Sequence, residues 1–161
     1  MYNDLVTLRK YYSLYIKKQL EEKNEFVQMV PFYETKDSVR ETLLKDPNNQ
    51  IERKIRDQIL TIIDASKRFA ANTDYKQLDE TLINFALSKQ KKGVSILSDY
   101  GYFLFNNLLY NLFEYELDID IQTDFSTRLK MVCLYNQKDF DRLSTKQKKT
   151  LVDHHTVTIK I

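Results

Sequence analysis

The chain has 161 residues, of which 42% are hydrophobic and 30% are charged, and this composition is typical of a folded domain and excludes a largely disordered chain. Its 25 basic and 23 acidic side chains give a net charge of +2, which does not favour a nucleic-acid-binding protein. A single cysteine, Cys133, excludes an intrachain disulfide and a zinc site built from several cysteines. The length predicts one domain covering residues 1–161.

The N-terminus carries charge within its first residues and has no apolar core of a signal peptide. The most apolar stretch, from Tyr102 to Leu117, contains several Asn and Glu residues and is too short to cross a bilayer. We therefore expect a cytoplasmic protein without a membrane partner.

The predicted elements alternate between helices and strands along the chain. Asn3 or Asp4 can cap a first helix, and Asn24 can take the left-handed conformation that closes it. A turn is predicted over 46–49, because Asp, Pro and Asn favour turns. The predicted strands are Phe26–Phe32, Ile59–Ala65, Val94–Asp99, Leu129–Tyr135 and His155–Ile161, and the predicted helices are Leu5–Leu20, Ser38–Leu44, Ile51–Gln58, Tyr75–Phe85, Tyr102–Leu117 and Ser144–Val152.

This alternation predicts an α/β fold, because neighbouring parallel strands need a crossover that a helix supplies. We expect a three-layer sandwich with a mostly parallel central sheet of about five strands. The high content of Lys, Glu, Gln and Leu leaves an all-helical fold as the alternative.

Glycine is scarce, and this excludes the common nucleotide-binding loops. The segment 31–38 after the first predicted strand contains no glycine, so it cannot form the backbone cradle of a Walker loop. The two glycines, Gly93 and Gly101, are too far apart for a dinucleotide-binding fingerprint. Ligands of parallel sheets bind beyond the carboxyl ends of the strands, where another kind of site is expected.

Three carboxylates are candidates for such a site. Asp99 ends a predicted strand, and Glu114 and Glu116 lie late in the predicted apolar helix, on different faces of it. One of the two glutamates can face inward and have a raised pKa, a pattern of functional sites. An ordinary exposed helix end is the alternative.

The remaining reactive side chains favour structural roles. Cys133 lies in the middle of a predicted strand, where a buried, inert thiol is the usual state, although His154 can act as its base if the last helix returns to that strand. His154 and His155 are adjacent and point in different directions, so we predict no metal site there. The basic clusters 89–92 and 146–149 are interpreted as solvated faces, and we predict no nucleic-acid partner.

Several short motifs, in their order and spacing, resemble the MEDS family, the methanogen/methylotroph sensory domain. The strongest are Phe113-Glu-Tyr-Glu116, the segment Met131–Phe140 with its Cys-Leu-Tyr-Asn, and Leu151-Val-Asp-His154. Ile62–Ala65 and Ser98–Tyr102 are similar to two central segments of the family. The family's usual first strand has no counterpart before Met1, so we expect this strand to be missing.

The resemblance implies a RecA/KaiC-like fold without the phosphate loop, used as a sensory or signalling module. Members occur alone or joined to histidine kinases and transcription regulators, and are proposed to sense small hydrocarbon derivatives. We therefore predict a non-enzymatic module without a cofactor, which binds a small apolar ligand or a partner signalling protein such as a histidine kinase or a transcription regulator. The alternatives are a homodimer or other homo-oligomeric structural protein, and a degenerate nucleotide-binding domain.

The predicted ligand site lies at the carboxyl edge of the sheet, where aromatic walls with few polar anchors are typical of small-molecule pockets. Its predicted residues are Asp99, Tyr100, Tyr102, Glu116, Cys133, Tyr135 and His154.

Overall fold

A computed structural model describes residues 1–45, 50–70, 73–118 and 127–161 of the chain. Within these residues the sheet has four strands, all parallel, in the spatial order β2-β1-β3-β4. This confirms the α/β class and the parallel sheet, and it rejects the all-helical alternative. The predicted number of about five strands is wrong. The strands are β1 (Phe26–Val30), β2 (Leu60–Ile62), β3 (Val94–Asp99) and β4 (Leu129–Leu134).

Several helices of the described residues begin at a polar side chain that accepts from a free backbone amide. Asp4 caps the first helix by accepting from the Thr7 amide at 2.8 Å, and Asn24 follows it with a φ of 55°. Ser144 and Gln147 form a capping box at the start of the last helix. The helices are α1 (Leu5–Glu21), α2 (Lys36–Leu44), α3 (Ile51–Arg56), α4 (Ala65–Arg68), α5 (Tyr75–Ser88), α6 (Gly101–Phe105), α7 (Leu109–Asp118), α8 (Gln137–Asp141) and α9 (Thr145–His154).

One predicted helix is divided in the structure, and another begins earlier than predicted. The predicted helix Tyr102–Leu117 is interrupted, because Asn107 adopts a left-handed φ of 56° between α6 and α7. The helix predicted over Ser38–Leu44 begins earlier, at Lys36: Thr35 is its cap, and the Thr35 hydroxyl accepts from the Ser38 amide at 3.1 Å. The predicted turn at 46–49 lies outside the described residues.

The predicted strand His155–Ile161 is also wrong. This terminal segment, residues 156–161, forms neither helix nor strand. The backbone of Tyr2 bonds to the chain just after β4, through the Tyr135 carbonyl at 2.9 Å and the Gln137 amide at 2.8 Å. The amide of Ile161 donates to the Met1 carbonyl at 2.9 Å. Met1 and Tyr2 thus connect the terminal segment to the chain that follows β4. Among the described residues, β4 pairs with a strand on one edge only.

The core consists of two buried clusters on opposite faces of the sheet, because successive side chains of a strand point to opposite faces. Val27 and Met29 contact the cluster that includes Ile16 of α1. Phe26 and Val30 contact the other cluster, which includes Phe103 of α6 and residues of α5, α7 and α9. Each fully buried aliphatic or aromatic side chain contributes about 1.5–3 kcal/mol to stability.

Gly93 is required where β3 and β4 begin. A Cβ atom at this position would lie 2.5 Å from the Arg128 carbonyl oxygen, and moving a backbone atom costs more energy than moving the end of a flexible side chain.

Among the described residues, no helix combines the length and apolar character that a bilayer crossing demands.

Candidate functional site

A cavity of about 510 Å³ lies between β4 and the terminal segment. It occupies the place beside β4 that a fifth strand would take. Its walls are mainly apolar and include Met131 and Val132 of β4, Phe140 of α8, Leu151 of α9 and Ile161 of the terminal segment. Met1 and Tyr2 complete the wall: Tyr2 bonds to the chain after β4, and Met1 bonds to the terminal segment.

Three polar side chains meet at the wall of this cavity, and we call Glu116, Cys133 and His155 the polar cluster. The Sγ atom of Cys133 lies 3.7 Å from Glu116 Oε2, and His155 Nε2 lies 3.5 Å from the same oxygen. The three ligand atoms all lie within 4.8 Å of one another. They come from α7, β4 and the residue after α9, so only the tertiary fold brings them together.

Two further contacts hold the polar cluster in position. The Tyr135 hydroxyl donates to Glu116 Oε1, so both carboxylate oxygens are oriented. His155 Nδ1 lies 2.6 Å from the Leu151 carbonyl, one of the carbonyls that the end of α9 leaves free. Because a carbonyl can only accept, Nδ1 carries the proton and Nε2 faces Glu116.

Burial dominates the electrostatics of the cluster. Glu116 is 2% exposed, and burial raises the pKa of its carboxyl above the usual value, although the Tyr135 hydroxyl and His155 oppose this rise. Burial, together with the Glu116 carboxylate, raises the pKa of the Cys133 thiol and of the Tyr135 hydroxyl well above their usual values. The apolar surroundings therefore favour the neutral forms of all three groups.

Asp99 lies away from the cavity, buried at the carboxyl end of β3. Its Oδ2 accepts from the Tyr2 hydroxyl at 2.7 Å, and its Oδ1 accepts from the Gly101 amide at 2.9 Å. Burial raises its pKa to about 6, and these donors oppose the rise.

The carboxyl edge between β1 and β3, where the strand order reverses, is filled by aromatic rings. A Cβ atom at Gly101 would overlap the Tyr33 ring and lie 3.0 Å from Phe32. Tyr102 packs against Phe32 at a ring distance of 5.9 Å, and Tyr100 is fully buried, edge-on to Tyr135.

The structure brings together four of the seven predicted site residues. The four that line the cavity are Glu116, Cys133, Tyr135 and His154, while Asp99, Tyr100 and Tyr102 do not line it.

Sequence reasoning missed His155, Tyr2 and the terminal segment as parts of this site. The sequence signal for His155 was present, since it follows His154 directly, but nothing local indicated which of the two rings turns inward.

No family model, no curated protein and no solved structure matches this chain. The likeness to the MEDS family therefore stays a prediction from the motifs.

Proposed function

We propose that this protein is a cytoplasmic, non-enzymatic sensory module that binds a small, largely apolar molecule in the cavity between β4 and the terminal segment. The observation that carries the proposal is the cavity itself: about 510 Å³, with mainly apolar walls and one convergent polar cluster. Small-molecule sites have this size and this combination of walls and anchors. The proposal includes the three-layer, RecA/KaiC-like arrangement of helices around the sheet.

The terminal segment is the element through which binding would be communicated. It forms one wall of the cavity, and its backbone is tied to Met1 through the Ile161 amide. Its Val157 and Ile159 are 69% and 52% exposed, so they are available to a partner. A molecule in the cavity would contact this segment directly, and we propose that a histidine kinase or a transcription regulator reads the resulting change.

Small apolar probes should stabilise the folded protein. We expect benzene, cyclohexane or 1-hexanol, added to protein treated with a chelator, to raise the unfolding temperature. A ligand at about 100 times its Kd adds roughly 2.7 kcal/mol, which corresponds to about 5–10 °C for a chain of this size. The measurement is thermal unfolding followed by circular dichroism over a series of probe concentrations.

A pair of Val→Phe variants supplies the control. Val132→Phe places a ring in the cavity and should weaken the response to the probe at least about tenfold, since the free space is filled. Val6→Phe changes a valine that is 76% exposed and outside the cavity wall, and should respond like the unchanged protein. The proposal is wrong if no probe raises the unfolding temperature, or if both variants respond alike.

Self-association is the second candidate function, and exposed apolar side chains favour it. Phe105 and Tyr110, near the junction of α6 and α7, are 66% and 73% exposed. This candidate predicts a sedimentation coefficient that rises with protein concentration toward that of a dimer. A monomer at all concentrations would contradict it.

A further inference from the structure

We propose that the polar cluster is a Zn²⁺ site, with Glu116 Oε2, Cys133 Sγ and His155 Nε2 as its protein ligands. This inference differs from the prediction drawn from the sequence, which placed no metal in this chain. It does not depend on an apolar ligand in the cavity, because the three donors converge without one.

The donor atoms have nearly the spacing that a tetrahedral ion imposes. Zn²⁺ lies about 2.0–2.3 Å from oxygen, nitrogen and sulfur ligands, which places the ligand atoms roughly 3.3–3.6 Å apart. The observed separations are 3.5 Å from His155 Nε2 to Glu116 Oε2 and 3.7 Å from Cys133 Sγ to Glu116 Oε2. The third pair, Cys133 with His155, is within 4.8 Å. A small rotation of side chains would complete the site.

The orientation of His155 suits a metal ligand. Its Nδ1 is directed to the Leu151 carbonyl, so Nε2 is the ring nitrogen that faces a Glu116 carboxyl oxygen. Without a metal, protons account for these contacts, because the Cys133 thiol donates to Glu116 Oε2 and one proton can bridge Nε2 and the same oxygen. A Zn²⁺ ion would replace these protons and bind all three atoms, since its ligands bind in their deprotonated forms.

The surroundings supply the outer contacts that metal ligands need. A histidine ligand usually donates its other ring N–H to a carbonyl, and a ligating carboxylate is usually hydrogen-bonded. The Leu151 carbonyl and the Tyr135 hydroxyl are in these positions. Because all three ligands line the cavity, the fourth coordination position is left to water or to the molecule bound there.

Metal titration of the reduced, chelator-treated protein tests this site without any organic ligand. We expect one Zn²⁺ per chain in a competition titration with a chromophoric chelator. With Co²⁺ as the probe, we expect a thiolate-to-cobalt absorption band and the visible bands of a tetrahedral ion. The Co²⁺ spectrum of the unchanged protein needs no variant to fold, and its absence would overturn the proposal.

A variant of a ligand and a variant outside the cavity separate specific from adventitious binding. Loss of an outer partner costs a metal site about 10–100-fold in affinity, so loss of the ligand in His155→Gln should cost at least about 100-fold. Glu114→Gln changes an exposed carboxylate outside the cavity wall and should leave the affinity unchanged. Cys133→Ser should abolish the thiolate band. Equal binding by the His155 and Glu114 variants would show adventitious binding and overturn the proposal, whatever the outcome of the apolar-probe experiment.

Discussion

Replacing Asp79 with alanine is expected to lower the free energy of unfolding by about 3–5 kcal/mol. Asp79 of α5 forms an ion pair with Arg68 of α4, whose side chain is fully buried. The same Arg68 nitrogen also donates to the Tyr115 hydroxyl at 3.2 Å. Without Asp79 the guanidinium would stay buried next to a neutral hydroxyl, which does not compensate its charge.

Urea unfolding of single and double variants measures this effect. The double variant Arg68→Met with Asp79→Leu should recover most of the lost stability, because it removes both charges and fills the space with apolar atoms. Among the described residues, Arg68 Nε and Nη1 make no hydrogen bond, so the pair is not fully satisfied even in the folded protein.

An exposed ion pair serves as the control for this experiment. Arg53 and Asp57 lie 3.5 Å apart with both side chains largely exposed, so Asp57→Ala should change the stability by less than about 1 kcal/mol. A small effect of Asp79→Ala, or a double variant no more stable than the single one, would show that Arg68 is not held as a buried charge.

Asp99 should make the protein less stable as the pH rises from about 4 to about 7. Its pKa is about 6 in the folded protein and has its usual value of 3.8 in the unfolded chain, so the folded state holds the proton more tightly. The resulting stabilisation is fully present below pH 3.8 and is lost as the pH rises through 6. It amounts to about 3 kcal/mol.

Comparison with Asp99→Asn isolates this contribution. Asparagine keeps the shape and the acceptor for the Gly101 amide but does not ionise. The free energy of unfolding of the variant, relative to that of the unchanged protein, should therefore rise by up to about 3 kcal/mol from pH 4 to pH 7. The groups that face Asp99 are the Tyr2 and Tyr33 hydroxyls and the Asp139 carboxylate. These groups are present in both proteins.

The measurement is urea unfolding of both proteins at several pH values. Asp57→Asn, which removes an exposed carboxylate, reports the general effect of one lost charge. A difference between Asp99→Asn and the unchanged protein that is constant with pH, or that falls as the pH rises, contradicts the assignment.

The sequence predicted the paired strands well because their signal is local. Val94–Asp99 is fully buried and was predicted with its observed bounds, and Leu129–Leu134 was predicted to within one residue. The helix α1 followed from its apolar stripe, the Asp4 cap and the left-handed Asn24. Each of these features depends on neighbouring residues and on burial between helices, which the amino-acid pattern records.

The candidate site was only half predictable, because its members are distant in the chain. Glu116 and Cys133 were identified from residue type and position, but the inward turn of His155 depends on the Leu151 carbonyl at the end of α9. The filling of the carboxyl edge by aromatic rings near Gly101 was likewise not predictable, because it depends on how α6 packs against the segment after β1.

By itself the sequence determined an α/β chain with parallel strands and without a glycine-rich phosphate loop. Only the tertiary structure shows that the terminal segment is not a strand. Its Val157, Ile159 and Ile161 alternate with polar residues as they would in a strand. The backbone of this segment bonds to Met1 and not to β4: the Ile161 amide donates to the Met1 carbonyl, and the Ile159 carbonyl accepts from the Met1 nitrogen. The segment is therefore held off the sheet, and the space left beside β4 is the cavity.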